Sequence, residues 1–503
     1  MSEQIGIVLV HGIGEQKRFE HLSTEVLEII RSLKTDKNID QVSVQPHVTQ
    51  DAEYAAENQI WLSEDGAPLQ IDFFHSINNE KVQKSLFIHE VWWADLDNKS
   101  TLWEWIRFYF WVCSLWVFER YNKSDLPGAA ALQVPSSLFD PKKDFLVRLR
   151  LAAVGLVFLL ASFSLIPMAY FLRKIGLNFF RADILFQYLG DVKLYQDFLR
   201  VNGATLTDFG IPPRYSIRRR MVQVLVDACS LNYDRWYVLA HSLGSVVAWN
   251  GLMETEHCLP NYLNEKTWKK CLQKEGLVIQ LADKENTNDM RPARPLWIKD
   301  DQAALSRNVL FEKLRGFVTY GSPLDKFAYL WGAIVPINPQ KPVFADKFEW
   351  LNIFDHTDPV AASLDSYNAG PVTPKNYCYK AHPLLLYSHI KYLTFLKNKP
   401  DCFVNRLTEW ILSNNDFPKP KNNDTQWDAN ISFEKGLKIR TYWWVGITAL
   451  MSTVLGGLIS FYLENNLSLE LVLLNSLVVL VSVSFIVGIS GITKYFWIKC
   501  LKK

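Results

Sequence analysis

The sequence predicts an α/β fold joined to membrane helices, and three observations lead to that expectation. Short apolar runs at residues 5–10, 236–240 and 314–320 each stop at a glycine-bearing turn, as buried strands do. Helical patterning follows two of them, at residues 17–34 and 245–248. Uncharged segments at residues 151–172, 441–463 and 471–493 have bilayer length, since a helical span needs about 20 apolar residues.

A chain of 503 residues has room for two or three domains, or for one domain with large insertions. A formal net charge of +2 argues against a general nucleic-acid binder, which needs a basic excess. Aromatic residues make up 14% of the chain, and many of its 18 tryptophans gather near the apolar segments, where interfacial rings belong. The seven cysteines, at 113, 229, 258, 271, 378, 402 and 500, are scattered and odd in number. None of their spacings suits a metal or a redox pair, so a reduced compartment and no metal are expected. Residues 1–16 have no basic start and only a short apolar run, so no signal peptide is expected.

The first strand, residues 5–10, ends in His11, Gly12, Ile13 and Gly14. Glycines there let the backbone turn and leave N–H groups free to face a ligand. Alone, such a turn is an ordinary strand-to-helix junction. Residues 17–34 form an amphipathic helix with Leu22, Val26, Ile29, Ile30 and Leu33 on one side. Residues 42–48 and 85–93 are further strands, with Asp95 just beyond the second.

A long interruption follows at residues 101–210. Residues 102–118 are rich in aromatics but carry Glu104 and Arg107, so their uncharged core is shorter than a span. Residues 151–172 carry no charge, are flanked by Arg148, Arg150, Arg173 and Lys174, and contain Pro167 as a possible kink. The two segments either cross the bilayer as a hairpin or both stay on one side, with 102–118 lying in the interface. Arg214, Arg218, Arg219 and Arg220 then form a basic cluster, either a solvated helix face or a contact for anionic headgroups.

Residues 235–251, RWYVLAHSLGSVVAWNG, read as a strand, a tight turn and a helix. The turn has the nucleophile-elbow pattern G-x-S-x-G with Ala240 in the first glycine position. A serine on such a turn projects its hydroxyl, and its flanks are small because two backbones pass close by. The same turn brings the first helical N–H groups, including that of Leu243, near a reacting carbon. Residues 253–307 are polar and read as an insertion or mobile surface excursion, a possible lid. The strand at 314–320 closes on Gly321-Ser322-Pro323, and another at 348–354 leads into Asp355, His356 and Asp358. A short strand at 384–386 precedes His389, and residues 390–396 look helical. The soluble part ends near residue 414, followed by a polar linker at 415–440 and a C-terminal transmembrane hairpin within 441–503.

Serine is a poor nucleophile at neutral pH and needs a base within hydrogen-bond reach, itself oriented by a carboxylate. Strand ends after Ser242 offer Asp355, Asp358, His356, His382 and His389. Asp358, further out of its strand and followed by Pro359, is the first choice of acid, with Asp355 as the alternative. His389 is the choice of base. His382 reads as structural, His11 as a loop organiser, and His241 as too close in sequence to fold back on Ser242.

The segments VLVHGIGEQ, LAHSLGSVVA and FVTYGSPL, the Asp358-Pro359-Val360 turn and the SHIKYL segment together resemble the α/β-hydrolase superfamily. They are most similar to its membrane-associated lipases and esterases, a branch that includes relatives of the inositol-deacylase lipases. The resemblance covers residues 5–100 and 210–400 and leaves out the membrane segments. It implies a parallel sheet with helices on both faces, Ser242 as nucleophile, His389 as base and Asp358 as acid. It also implies an oxyanion hole built from the backbone N–H groups of Ile13 and Leu243 on the His11–Gly14 loop and the elbow. The departures are Ala240, Ser245 in place of a common glycine, and a first strand so close to the start that a reduced sheet is expected.

The expected function is therefore a membrane-embedded serine hydrolase cleaving a lipid or phospholipid acyl ester through an acyl-enzyme, with no cofactor. Its domain halves would be residues 1–100 and 211–414, and its partners the lipid bilayer and a membrane lipid substrate. Nothing in the residues specifies a homo-oligomer or a regulatory partner. The loop at 464–470 has no Lys or Arg, whereas Lys435, Lys438, Arg440, Lys494, Lys499, Lys502 and Lys503 flank the hairpin. That bias puts the catalytic domain on the cytoplasmic side. The alternatives are a noncatalytic membrane scaffold that keeps the hydrolase fold, or a regulated effector that attacks membranes.

Overall fold

The computed structural model describes residues 2–12, 20–45, 68–77, 80–93, 195, 213–281, 292–324 and 427–428, and most of residues 344–418. The long uncharged segments, together with Ile13, Gly14 and His356, lie outside the described residues. The chain divides into two units: residues 1–98, 127–132 and 191–432, and residues 99–126, 133–190 and 433–503. Among the described residues, which fall in the first unit, no helix is long and apolar enough to cross a membrane.

The strands are Glu3–Val10 (β1), Ile39–Val44 (β2), Leu69–Ile77 (β3), Glu80–Val91 (β4), Arg235–His241 (β5), Val278–Gln280 (β6), Ala303–Leu305 (β7), Leu314–Tyr320 (β8), Glu349–Phe354 (β9), Lys375–Tyr379 (β10) and Trp427–Asp428 (β11). Nine of them form one sheet in the order β11-β10-β9-β8-β5-β1-β4-β3-β2, while β6 and β7 pair separately. The run from β10 to β4 is parallel throughout, and β11, β3 and β2 pair antiparallel at its two sides. The helices are Glu20–Thr35 (α1), Pro213–Ser230 (α2), Gly244–Leu252 (α3), Glu265–Gln273 (α4), Arg307–Leu310 (α5), Leu385–Ile390 (α6) and Phe403–Ser413 (α7).

The central strands are apolar on both sides because each side is covered. Ile5, Ile7, Leu9, Tyr237, Leu239, Val318, Tyr320, Leu351 and Ile353 share a core with Val26 and Leu33 of α1 and Phe403 and Leu407 of α7. The intervening residues meet α2 and α3 on the other side, where Trp249 stacks on Trp350 with ring centroids 4.6 Å apart. Unbroken apolar runs are what a parallel strand buried on both faces requires. Register then sets the site. Val10 is level with both Val91 of β4 and Ala240 of β5, so the His11-Gly12 turn stands beside the turn at Ser242.

Four expectations need correction. The sheet is not short of strands beyond β1, because β4, β3 and β2 extend it there. β3 pairs with β4 from Glu80 to Ile88 as a hairpin, with Ile77 opposite Glu80. Among the β3 residues from 69 to 76, only Leu69, Ile71 and Phe73 are buried, a half-polar pattern that a search for apolar runs passes over. Second, residues 253–281 are packed rather than a mobile surface excursion: Leu259, Tyr262, Leu263 and Trp268 are buried, and α4 begins at an Asn264 cap that accepts the Thr267 N–H at 2.7 Å. Third, the fold does not end near residue 414. α7 stops there on a left-handed Asn414, but Phe417 and Trp427 are buried beyond it and β11 completes the sheet edge. Fourth, the helix around His389 runs Leu385–Ile390, so the histidine closes a helix rather than opening one after a strand.

At the far end of the sheet from the Ser242 turn, Glu3 pairs with the buried Lys84 at 2.8 Å and with Arg235. Both cations donate to carbonyls at the C-terminus of α7, Lys84 to Leu412 at 2.8 Å and Arg235 to Ile411 at 2.9 Å. Positive charge there complements the helix dipole and satisfies carbonyls that the helix itself leaves open.

Candidate active site

Ser242 sits between β5 and α3 with φ at 51°, a left-handed conformation that costs a non-glycine residue energy. Its surroundings hold it there. Its N–H donates to Tyr320 O at 3.0 Å, and its carbonyl accepts the N–H and hydroxyl of Ser245 at 3.0 and 2.6 Å. The Ser245 hydroxyl also meets that of Ser322 at 2.7 Å, so the departure from glycine at 245 adds a brace to the turn.

The small residues around the turn answer to contact. A Cβ on Gly244 would lie 2.3 Å from His11 O and 2.5 Å from Val10 O, and one on Gly12 would lie 2.7 Å from the Ser242 Cβ. Ala240 is fully buried and its methyl is accommodated on β5. Leu243 is buried, and its N–H makes no hydrogen bond to another described residue.

His389 lies in the last turn of α6. Its Nε2 is 2.9 Å from Ser242 Oγ and its Nδ1 is 2.9 Å from Asp358 Oδ2. All three groups are buried. The carboxylate fixes the tautomer: Nδ1–H donates to Asp358, which leaves Nε2 to accept the serine proton. Asp358 also accepts the Val360 N–H on Oδ1 at 2.7 Å and the Tyr392 hydroxyl on Oδ2 at 2.8 Å. Burial pushes its carboxyl up, but His389, the Val360 N–H and Tyr392 outweigh that and hold it down at about 2. It is therefore ionised at neutral pH.

Asp355 takes a different part. Its carboxylate accepts the Ala381 N–H at 2.7 Å, its own N–H donates to the Tyr392 hydroxyl at 2.8 Å, and its carbonyl accepts the Asp358 N–H at 3.1 Å. The carboxylate within reach of His389 is that of Asp358.

Two other histidines brace the site. His11 Nε2 accepts the Trp93 N–H at 3.1 Å, so its Nδ1–H donates to Gly12 O at 2.9 Å, and its ring stacks on Trp93 at 3.9 Å. His241 does reach across the site, though not to Ser242: its Nε2–H donates to the His389 carbonyl at 2.8 Å, and its ring stacks on Tyr320. Ile13 and Gly14, the rest of the expected oxyanion loop, lie outside the described residues. Tyr392 was missed as a site residue. The only signal was its position in the SHIKYL segment, three residues past His389, in a stretch that reads as plain helix.

A hydroxyl bonded to an imidazole whose other nitrogen meets a buried carboxylate can pass its proton to the ring as its oxygen attacks an electrophilic carbon. Among the described residues, no group of three or more His, Cys, Asp or Glu is placed to hold a metal ion. Compared with protein-family models, curated proteins and solved structures, the chain matches none.

Proposed function

We propose that this protein is a membrane-embedded serine hydrolase of α/β-hydrolase type that cleaves a lipid or phospholipid acyl ester. One observation carries the reading: Ser242 on a left-handed strand-to-helix turn, 2.9 Å from a histidine that is itself 2.9 Å from a buried Asp358. Chain order Ser, Asp, His and the place of β5 between β1 and β8 suit the same reading.

Ser242 Oγ attacks the ester carbonyl while its proton passes to His389 Nε2, and Asp358 steadies the imidazolium. The Leu243 N–H, with that of Ile13, stabilises the oxyanion. Collapse of the tetrahedral adduct expels the alcohol, which takes the proton from His389 Nε2. A water then loses its proton to His389, attacks the acyl-enzyme and releases the acid, and Ser242 regains its proton. The lipid assignment rests on the long uncharged segments at 151–172, 441–463 and 471–493, because a site tethered at a bilayer meets lipid at high effective concentration. The Lys and Arg bias around the last two supports a cytoplasmic side for the catalytic unit.

A fluorophosphonate probe tests the chemistry: wild type is labelled and Ser242→Ala is not. Incubation with a total lipid extract then identifies the ester consumed. A folded wild type that neither labels nor consumes lipid would instead be a noncatalytic scaffold.

A further inference from the structure

We infer that Tyr392 is a positioning residue of this site, which holds the Asp358 carboxylate in the plane that His389 needs. The inference rests on the hydrolase reading above and adds a fourth side chain to it. The terminal torsion of an aspartate is broad, so a single hydrogen bond to His389 leaves the carboxylate free to rotate. In this protein three donors fall on its two oxygens: Val360 N–H on Oδ1 at 2.7 Å, and His389 Nδ1–H and the Tyr392 hydroxyl on Oδ2 at 2.9 and 2.8 Å.

Tyr392 also ties that carboxylate to the sheet. Its hydroxyl oxygen accepts the N–H of Asp355, the first residue after β9, at 2.8 Å, so one oxygen joins the strand end to the acid. Because Tyr392 is three residues from His389, acid and base are linked twice, once directly and once through this short stretch of chain. The ring is seated for the purpose: it is buried, edge-on to Tyr320 with centroids 6.2 Å apart. Gly321 leaves the space, since a Cβ there would stand 3.1 Å from Tyr392 Cε2 and 3.2 Å from His389 Cε1. Burial and the neighbouring Asp358 and Asp355 carboxylates push the phenol well above its ordinary range, so the hydroxyl stays protonated and donates.

A tyrosine that merely fills the core would lower stability without acting through Asp358, and a double-mutant cycle separates the two roles. The full-length protein is assayed on a short-chain p-nitrophenyl ester and by its fluorophosphonate labelling rate. Tyr392→Phe, which keeps the ring, is expected to lower kcat about 10- to 100-fold with KM unchanged, the size of a lost hydrogen bond to a charged group. In the Asp358→Asn background the same change is expected to cost no more than about twofold, because its target is gone. Tyr392→Phe at wild-type rate, or losses that multiply in the double variant, would overturn the inference and leave the hydrolase reading standing. Absence of turnover and labelling in wild type would overturn both. Should Tyr392→Phe fail to fold, 3-fluorotyrosine at position 392 keeps the shape and strengthens the donor. An unchanged kcat there overturns the inference.

Discussion

Alanine in place of Gly244 is expected to disable the site through contact alone. By intrinsic preference the change is favourable, since Gly244 opens α3 and alanine is the better helix former by about 1 kcal/mol. Any loss must therefore come from what the new methyl meets. It would lie 2.3 Å from His11 O, 2.5 Å from Val10 O and 2.9 Å from the His11 carbonyl carbon. These are backbone atoms at the end of β1, with no side chain to swing away. Ordinary contact requires the elbow and that strand end to separate by about 1 Å. Overpacking of this kind costs about 1–3 kcal/mol, which appears as a fall of several degrees in Tm. The larger effect is kinetic, because a misplacement of about 1 Å in a reacting group costs roughly a hundredfold in rate. The assay is the second-order rate of fluorophosphonate labelling at Ser242, with thermal unfolding on the same samples. Ala240→Gly is the matched control: it removes a methyl that already fits and is expected to label at the wild-type rate. Gly244→Ala with wild-type labelling and Tm would refute the close approach of the two turns.

Ser242→Ala and His389→Ala are each expected to remove nearly all turnover with the fold retained, and Asp358→Asn nearly as much, whereas Asp355→Asn keeps measurable activity. Full activity in Asp358→Asn with loss in Asp355→Asn would reverse the assignment of the acid. Asp358 is also expected to shape acid stability. Held at about 2 against an ordinary 3.8, it stays ionised where the unfolded chain is already protonated. Its contribution of about 2 kcal/mol is complete above about pH 4 and is lost as pH falls towards 2. Urea midpoints across that window should flatten in Asp358→Asn. Glu3→Gln strips the buried Lys84 and Arg235 of their shared carboxylate and should destabilise by about 1–3 kcal/mol in urea unfolding. Labelling at Ser242 should be unchanged, because Glu3 starts the strand whose other end bears the site. For the proposed C-terminal hairpin, an impermeant thiol reagent on intact cells is expected to label a cysteine placed at position 466 and to miss one at 502; the reverse would invert the orientation.

By itself the sequence determined the strands that are buried on both faces and the turns that follow them. β1, β5 and β8 are runs of apolar residues cut by glycine, because a parallel strand covered twice tolerates no polar side and the close passage of backbones tolerates no Cβ. The serine and the pair of candidate aspartates were readable for the same reason: they sit where such strands end. His389 instead closes a helix, so the strand expected before it was no guide to its place. Tertiary structure alone decided the rest. β3 and β11 exist because neighbouring strands offer hydrogen-bonding edges, and no local pattern announces an edge. The choice between Asp355 and Asp358 turned on which carboxylate meets His389 Nδ1, a contact between residues 31 apart in the chain. Tyr392 looks in the sequence like any core aromatic; only the folded loop brings its hydroxyl to both aspartates at once. Local composition fixes which segments are buried, but hydrogen-bond partners far apart in the chain meet only when the sheet has assembled.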